Sequence, residues 1–268
     1  MTIKSTVDMA AANDLIVCWQ ESPYPSIKTT SYFPVYAQLF AHLRGTACTF
    51  VETGILDGGS LFMWRRWLGE KARIVGIDLN PAAKKWEAHG FEIHIGDQGD
   101  PDFWNSVLPA IGNIDAFLDD GGHQSFQQIV TVSSLIRHIQ NDCIVAVEDT
   151  YTSFMNDFSS HGRNSFLEYA KDSTDCIVGR SFSLYPNRFP SKFNNEQVDL
   201  FSSVFSVQFF NGVVAFQISP TCSIPPQIVR NKNERHAADY RHEGKNSARI
   251  DWPNILYEEH VTILGGTS

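Results

Sequence analysis

The chain has 268 residues, 43% of them hydrophobic, and a formal net charge of −9. That length suits one α/β domain with additions at its ends. The acidic balance excludes a nucleic-acid backbone as the main partner, because such binding needs clustered Lys and Arg. The five cysteines (Cys18, Cys48, Cys143, Cys176 and Cys222) are scattered and form no C-x-x-C pair, which argues against a zinc site or a disulfide framework. With no signal peptide and no apolar run long enough for a membrane span, the expectation is a reduced, cytoplasmic protein.

In chain order, Thr6–Trp19 and Ser31–Leu43 carry helical patterns, and residues 1–45 are expected to form a helical cover over a ligand. Strand signals follow at Thr49–Thr53, Arg73–Leu79, Phe91–Gly96, Ile114–Asp119 and Cys143–Glu148. Helical stretches alternate with them at Ser60–Leu68, Ala82–Ala88, Pro101–Ala110 and Gln124–Ile139, with another over Asn164–Lys171. Such alternation predicts a parallel sheet covered by helices. Two β-rich runs, Val204–Phe210 and Val213–Ile218, then flank Asn211-Gly212. Asn-Gly between strands marks a two-residue hairpin with positive φ at both turn positions. The fold class is therefore α/β: a Rossmann-like seven-strand sheet over residues 46–221, mostly parallel and closed by an antiparallel hairpin. Residues 222–268 read as a polar C-terminal extension.

The first strand runs into Glu52-Thr53-Gly54-Ile55-Leu56-Asp57-Gly58-Gly59-Ser60, and the second ends at Asp78. Glycines let a backbone approach a ligand closely, and an acid after the second strand can accept ribose hydroxyls. The spacing E-x-G-x-x-x-G-G-S differs from the dinucleotide pattern and resembles the first motif of S-adenosylmethionine (SAM) methyltransferases. That resemblance implies cofactor contacts from Glu52, Gly54, Gly58, Ser60 and Asp78, with Asp97 on the adenine amino group and Gln98 and Asp119 beside it. Asp78 and Asp97 also admit readings as helix caps or turn formers.

Ligands of an open parallel sheet bind beyond the carboxyl ends of its strands. The acids gathered there would repel one another unless ligands or cations compensate them. Asp120, Glu148 and Asp149 remain after the cofactor is served, and three hard oxygen ligands fit Mg²⁺ or a similar divalent cation. A helix cap at Asp120 and loop acids at Glu148 and Asp149 are the alternative. Strand alternation sends Asp119 and Asp120 to opposite faces, so one of the two faces the metal. His123 is placed at the start of the following helix, beside this group. It is a candidate base near neutrality, and a packing or capping role is the alternative. Tyr32, Tyr36 and Tyr151 are candidates for contact with the acceptor.

Four blocks carry a wider resemblance: Ser31–Tyr36 with Leu39-Phe40, Glu52–Ser60, Asp119-Asp120-Gly121-Gly122-His123, and Val147-Glu148-Asp149-Thr150. Together they resemble the metal-dependent SAM O-methyltransferases that act on macrolide sugars and rhamnose, with a cephalosporin-hydroxylase-like branch and enzymes of polysaccharide clusters. The resemblance implies Asp120, Glu148 and Asp149 as the Mg²⁺ ligands and His123, with Asp120, as the catalytic pair. It also implies a sugar hydroxyl as acceptor. The turn departs from the macrolide enzymes, with Gly122 where they often carry Ser. An aromatic diol acceptor and a non-catalytic SAM-binding scaffold remain alternatives, whereas no 2-His-1-carboxylate pattern supports a hydroxylase. A homo-oligomer without nucleic-acid or membrane partners completes the expectation.

Overall fold

A computed structural model describes residues 8–159, 165–180, 199–224 and 226. The polar extension predicted over 222–268 lies almost wholly outside them, as does the start of the first predicted helix.

Seven strands form one sheet: β1 (Thr49–Thr53), β2 (Arg73–Asp78), β3 (Glu92–Ile95), β4 (Ala116–Asp119), β5 (Cys143–Val147), β6 (Val204–Phe209) and β7 (Val214–Ile218). Their order is β3-β2-β1-β4-β5-β7-β6. The first five pair in parallel, and β7 inserts antiparallel between β5 and β6. The hairpin closes at the predicted place, with the Phe210 amide donating to the Val213 carbonyl at 2.8 Å. Gly212 takes a φ of +78° but Asn211 does not share the left-handed region, so only the glycine meets the mirror-image turn expectation.

The alternation along each strand builds two apolar faces. Phe50, Ile74, Ala116 and Leu118 point to one, where α1 (Met9–Gln20), α2 (Tyr32–Phe40) and α3 (Gly59–Leu68) pack. Val51, Val75, Phe117 and Val145 point to the other, under α4 (Pro101–Ile111), α5 (Ser125–His138) and α6 (Phe166–Gly179). Caps start several helices as their sequences dictate: Asp8 accepts the Ala11 amide, Asp100 the Asp102 amide and Ser165 the Glu168 amide. The stretch predicted helical near Ala82–Ala88 is a 3-10 segment, Pro81–His89, ended by Gly90 at φ +79°. The predicted Asn164–Lys171 helix runs on as far as Gly179.

An aromatic cluster joins the N-terminal helices to the sheet. Phe50 of β1 lies 4.5 Å from Trp64 and 5.3 Å from Phe40, centroid to centroid, and Tyr36 lies 5.3 Å from Trp64. All four side chains are fully buried. Phe50→Ala should cost about 3–5 kcal/mol, read as a lowered midpoint of denaturant unfolding with little change in slope.

Candidate active site

One cavity of about 500 Å³ opens at the carboxyl ends of β1, β2, β3, β4 and β5. Its first part is the glycine turn. Gly54 holds a φ of +85°, and a Cβ there would overlap the backbone of Asp120 and Gly121. The β1 and β4 turns can approach this closely only with glycine at that position. Asp78 is braced by two backbone amides, Leu56 at 3.0 Å and Asn80 at 2.8 Å. Asp97 accepts the Gly99 amide at 2.7 Å. Gly54, Ser60, Asp78, Asp97 and Gln98 all line the cavity.

Three of the residues expected at the cofactor stand behind this lining. Glu52 is fully buried and accepts the Ser60 hydroxyl at 2.6 Å. Gly58, at φ +78°, leaves room for the Trp86 ring, so a packing constraint accounts for that glycine. Asp119 is fully buried on the opposite face from Asp120, where it accepts from the Gln98 amide at 3.0 Å and from the Gly121 amide at 3.1 Å. Gln98 also accepts the Gly122 amide at 2.9 Å. It thus ties the end of β3 to the Asp-Asp-Gly-Gly-His turn.

The second part of the cavity is acidic. Ligand-capable atoms of Asp120, His123 and Asp149 lie within 4.8 Å of one another. His123 Nε2 is 3.5 Å from Asp149 Oδ2 and 3.9 Å from Asp120 Oδ1. His123 and Asp149 hold φ values of +58° and +54°, costly for residues with a Cβ and a recurrent feature of functional sites. The Thr152 hydroxyl lies 3.1 Å from the His123 carbonyl oxygen and 2.7 Å from that of Asp149, which holds the two turns together. His123 sits ahead of α5, whose cap is Gln124 in a capping box with Gln127. The histidine is therefore a turn residue, not the first of the helix as its position suggested.

The segment before α2 contributes a residue that the sequence reading missed. Lys28, with its side chain 1% exposed, reaches Asp120 at 2.5 Å, Glu148 at 3.1 Å and Glu52 at 3.4 Å. Burial alone would lower the Lys28 ammonium pKa, but Asp120 and Glu148, with Tyr36 and Glu52, outweigh it and hold it well above the usual lysine value. One ammonium cannot balance three carboxylates, so burial, opposed by Lys28 and aided by Asp120, pushes Glu148 well above the carboxylate range. The positive partner that this crowded edge required is supplied by the chain itself.

Tyrosines complete the same side. Tyr36 donates its hydroxyl to Glu148, and Tyr32 donates to Asp149 at 2.6 Å. Tyr36 is fully buried away from the cavity, and Tyr32 is bound to an acid. Their hydroxyls orient carboxylates, and Tyr32 also lines the cavity. Tyr151 lies half exposed at the rim.

No family model matches the chain. The mycinamycin-pathway methyltransferase MycE, solved with Mg and SAH, superposes at a TM-score of 0.65 with 21% identity, over 77% of this chain and 54% of that one. A second MycE structure, with Mg, SAH and mycinamycin VI, gives 0.64 at 19% identity, over 78% of this chain and 53% of that one. This is the methyltransferase fold. A curated relative from Streptomyces olivaceus, the 8-demethyl-8-α-L-rhamnosyl tetracenomycin-C 2′-O-methyltransferase, is 32% identical over 131 residues, 46% of this chain and 34% of that protein. The methyltransferase-fold chain thus matches about a third of the curated relative and half of MycE. No helix among its described residues is long and apolar enough to cross a membrane.

The pKa shifts give the site an alkaline signature. Burial, then hydrogen bonding or charge from the acids, raises Tyr32 and Tyr36, and Lys28 is raised by its carboxylates. The native state keeps these protons after the unfolded chain begins to release them, near the ordinary values of 10.0 for tyrosine and 10.5 for lysine. Their stabilisation is complete below about pH 10 and is lost as pH rises beyond it. Tyr36→Phe should flatten that loss by about 1.4 kcal/mol per pH unit, measured by denaturant unfolding in the alkaline range.

Proposed function

We propose that this protein is a SAM-dependent, Mg²⁺-dependent O-methyltransferase whose acceptor is a sugar hydroxyl, on a saccharide, a polysaccharide precursor or a glycosylated natural product. The observation that carries this reading is that one cavity joins Gly54, Asp78 and Asp97 to Asp120, His123 and Asp149. Room for a nucleoside cofactor beside a hard cation supports the reading. The printed activities of the curated relative and of MycE support the choice of a sugar acceptor.

Asp78 would hold the ribose hydroxyls and Asp97 the adenine amino group. Asp120 and Asp149 would hold the cation: their oxygen donors suit a hard divalent ion, and they converge with His123 within 4.8 Å. Glu148, the third expected ligand, has its two oxygens hydrogen-bonded to Lys28 and Tyr36. When bound, the cation supplies positive charge that lowers the pKa of the acceptor hydroxyl. His123 takes the hydroxyl proton on Nε2, and Asp149 at 3.5 Å stabilises the resulting imidazolium. The acceptor oxygen forms its bond to the methyl carbon as the carbon–sulfur bond breaks, the electron pair passing to sulfur. Alignment and exclusion of water are the protein's main contribution, because SAM is already a reactive electrophile. Tyr151 at the rim is a contact for the acceptor, and a homo-oligomer in the cytoplasm is the proposed setting.

Calorimetric titration separates the two halves. Asp78→Ala should weaken SAM binding by about tenfold or more while the response to Mg²⁺ persists. Asp120→Asn should keep SAM affinity within about threefold, lose the Mg²⁺ response and lower turnover by about 100-fold or more. Full turnover in Asp120→Asn would contradict the proposal.

A further inference from the structure

Residues 22–29 run from α1 to α2 as an extended strap with alternating exposure. Ser22, Tyr24, Ser26 and Lys28 are more buried than their neighbours. Ser22 donates to the Gly59 carbonyl at 2.8 Å, and Tyr24 packs 4.5 Å from Trp86. The carbonyls of Tyr24 and Pro25 occupy the space that a Cβ on Gly59 would need. The strap is thus clamped to the glycine turn of β1 while its last inward side chain, Lys28, enters the acid cluster. Pro25–Thr29 also line the cavity.

Lys28 faces the carboxylates of Glu52, Asp120 and Glu148 and the hydroxyl-bearing ring of Tyr36, whose centroid is 5.9 Å from the ammonium. Only one of those acids, Asp120, also belongs to the group that can hold a cation. At 2.5 Å the ammonium already occupies one oxygen of that carboxylate. Its second link, to Glu148 Oε1, takes an oxygen from the third expected ligand, and Tyr36 takes the other. A divalent cation arriving at Asp120 therefore meets a fixed positive charge a few ångströms away, inside a low-dielectric layer where screening is weak.

Resting on the methyltransferase reading, we propose that Lys28 is a positioning residue that holds metal affinity down. It is a tethered counter-cation that keeps the buried acids folded without metal and competes with the metal for Asp120 and Glu148. Two consequences follow from its place in the chain. The apo site is assembled before metal arrives, because Lys28 already offsets part of its negative charge. Metal uptake is also coupled to the strap that lines the cofactor cavity, because the residue yielding to the metal belongs to that strap.

The test uses Mn²⁺ as the probe, its free ion followed by electron paramagnetic resonance at about pH 8. Calorimetry of SAM binding on the same full-length proteins serves as the check on folding and on the cofactor site. Lys28→Met should bind Mn²⁺ about tenfold more tightly than wild type or better, whereas Lys28→Arg, which keeps the charge, should stay within about threefold. SAM affinity should stay within about threefold in both. A purely structural lysine would weaken SAM and Mn²⁺ binding together. If Lys28→Met does not fold, Lys28→Met/Glu52→Gln removes the cation together with a buried acid outside the cation-holding group, and the same tightening is expected. Equal or weaker Mn²⁺ binding without the lysine, with SAM binding intact, overturns the proposal and leaves the methyltransferase reading standing. Wild type that binds neither SAM nor Mn²⁺ overturns both.

Discussion

Three carboxylates gathered on one face of a sheet, two of them buried, demand a positive charge, and much of this structure follows from how that demand is met. Glu52, Asp120 and Glu148 lie at the ends of neighbouring strands, with Lys28 among them. Removing one partner from such a group leaves an unpaired buried charge and costs several kcal/mol. The segment carrying Lys28 is therefore part of the site, and the docking of α1 and α2 goes with the burial of Glu52 and Glu148. The aromatic cluster of Tyr36, Phe40, Phe50 and Trp64 supplies the docking energy at the same spot.

Asp149 shows the same convergence from other directions. Tyr32 of α2 donates to its carboxylate, Thr152 bonds its carbonyl, and the amide of the next residue, Thr150, donates to the Gly212 carbonyl at 3.1 Å. A Cβ on Gly212 would collide with the Tyr32 hydroxyl. The β6–β7 hairpin turn thus backs the carboxylate through the tyrosine that orients it. Helical layer, sheet and hairpin all bear on one acid whose backbone is held in the left-handed region. Such over-determination maintains a strained, pre-organised site.

Much of this was legible in the residues. Apolar runs ending in Gly54, Asp78, Asp97, Asp120 and Asp149 gave the parallel sheet and its ligand edge, and Asn211-Gly212 gave the antiparallel closure. Alternation separated Asp119 from Asp120, and the structure does send them to opposite faces. Carried further, alternation also puts Glu52 on the face of Phe50 and Glu148 on the face of Ala146, together with Asp120 beyond Leu118. Lys28 escaped because it lies in no regular element and is 92 residues from Asp120. Its trace in the sequence was indirect: an excess of acid at one edge, assigned wholly to ligands and metal. Tyr32 and Tyr36 were placed at the right edge, but their four-residue spacing does not say which carboxylate they meet. The room that Gly58 leaves for Trp86 was not legible, because the ring is distant in sequence.

The proposed reaction is methyl transfer to a sugar hydroxyl at a metal-dependent site. The most direct measurement is transfer of label from methyl-labelled SAM to a panel of rhamnosylated and otherwise glycosylated acceptors, with Mg²⁺ and then with chelator, the product hydroxyl being located by NMR. The expected result is a single O-methylated sugar position, formed with Mg²⁺ and lost on chelation. Transfer that persists undiminished in chelator, or that goes to an aromatic diol and to no sugar, would contradict the account.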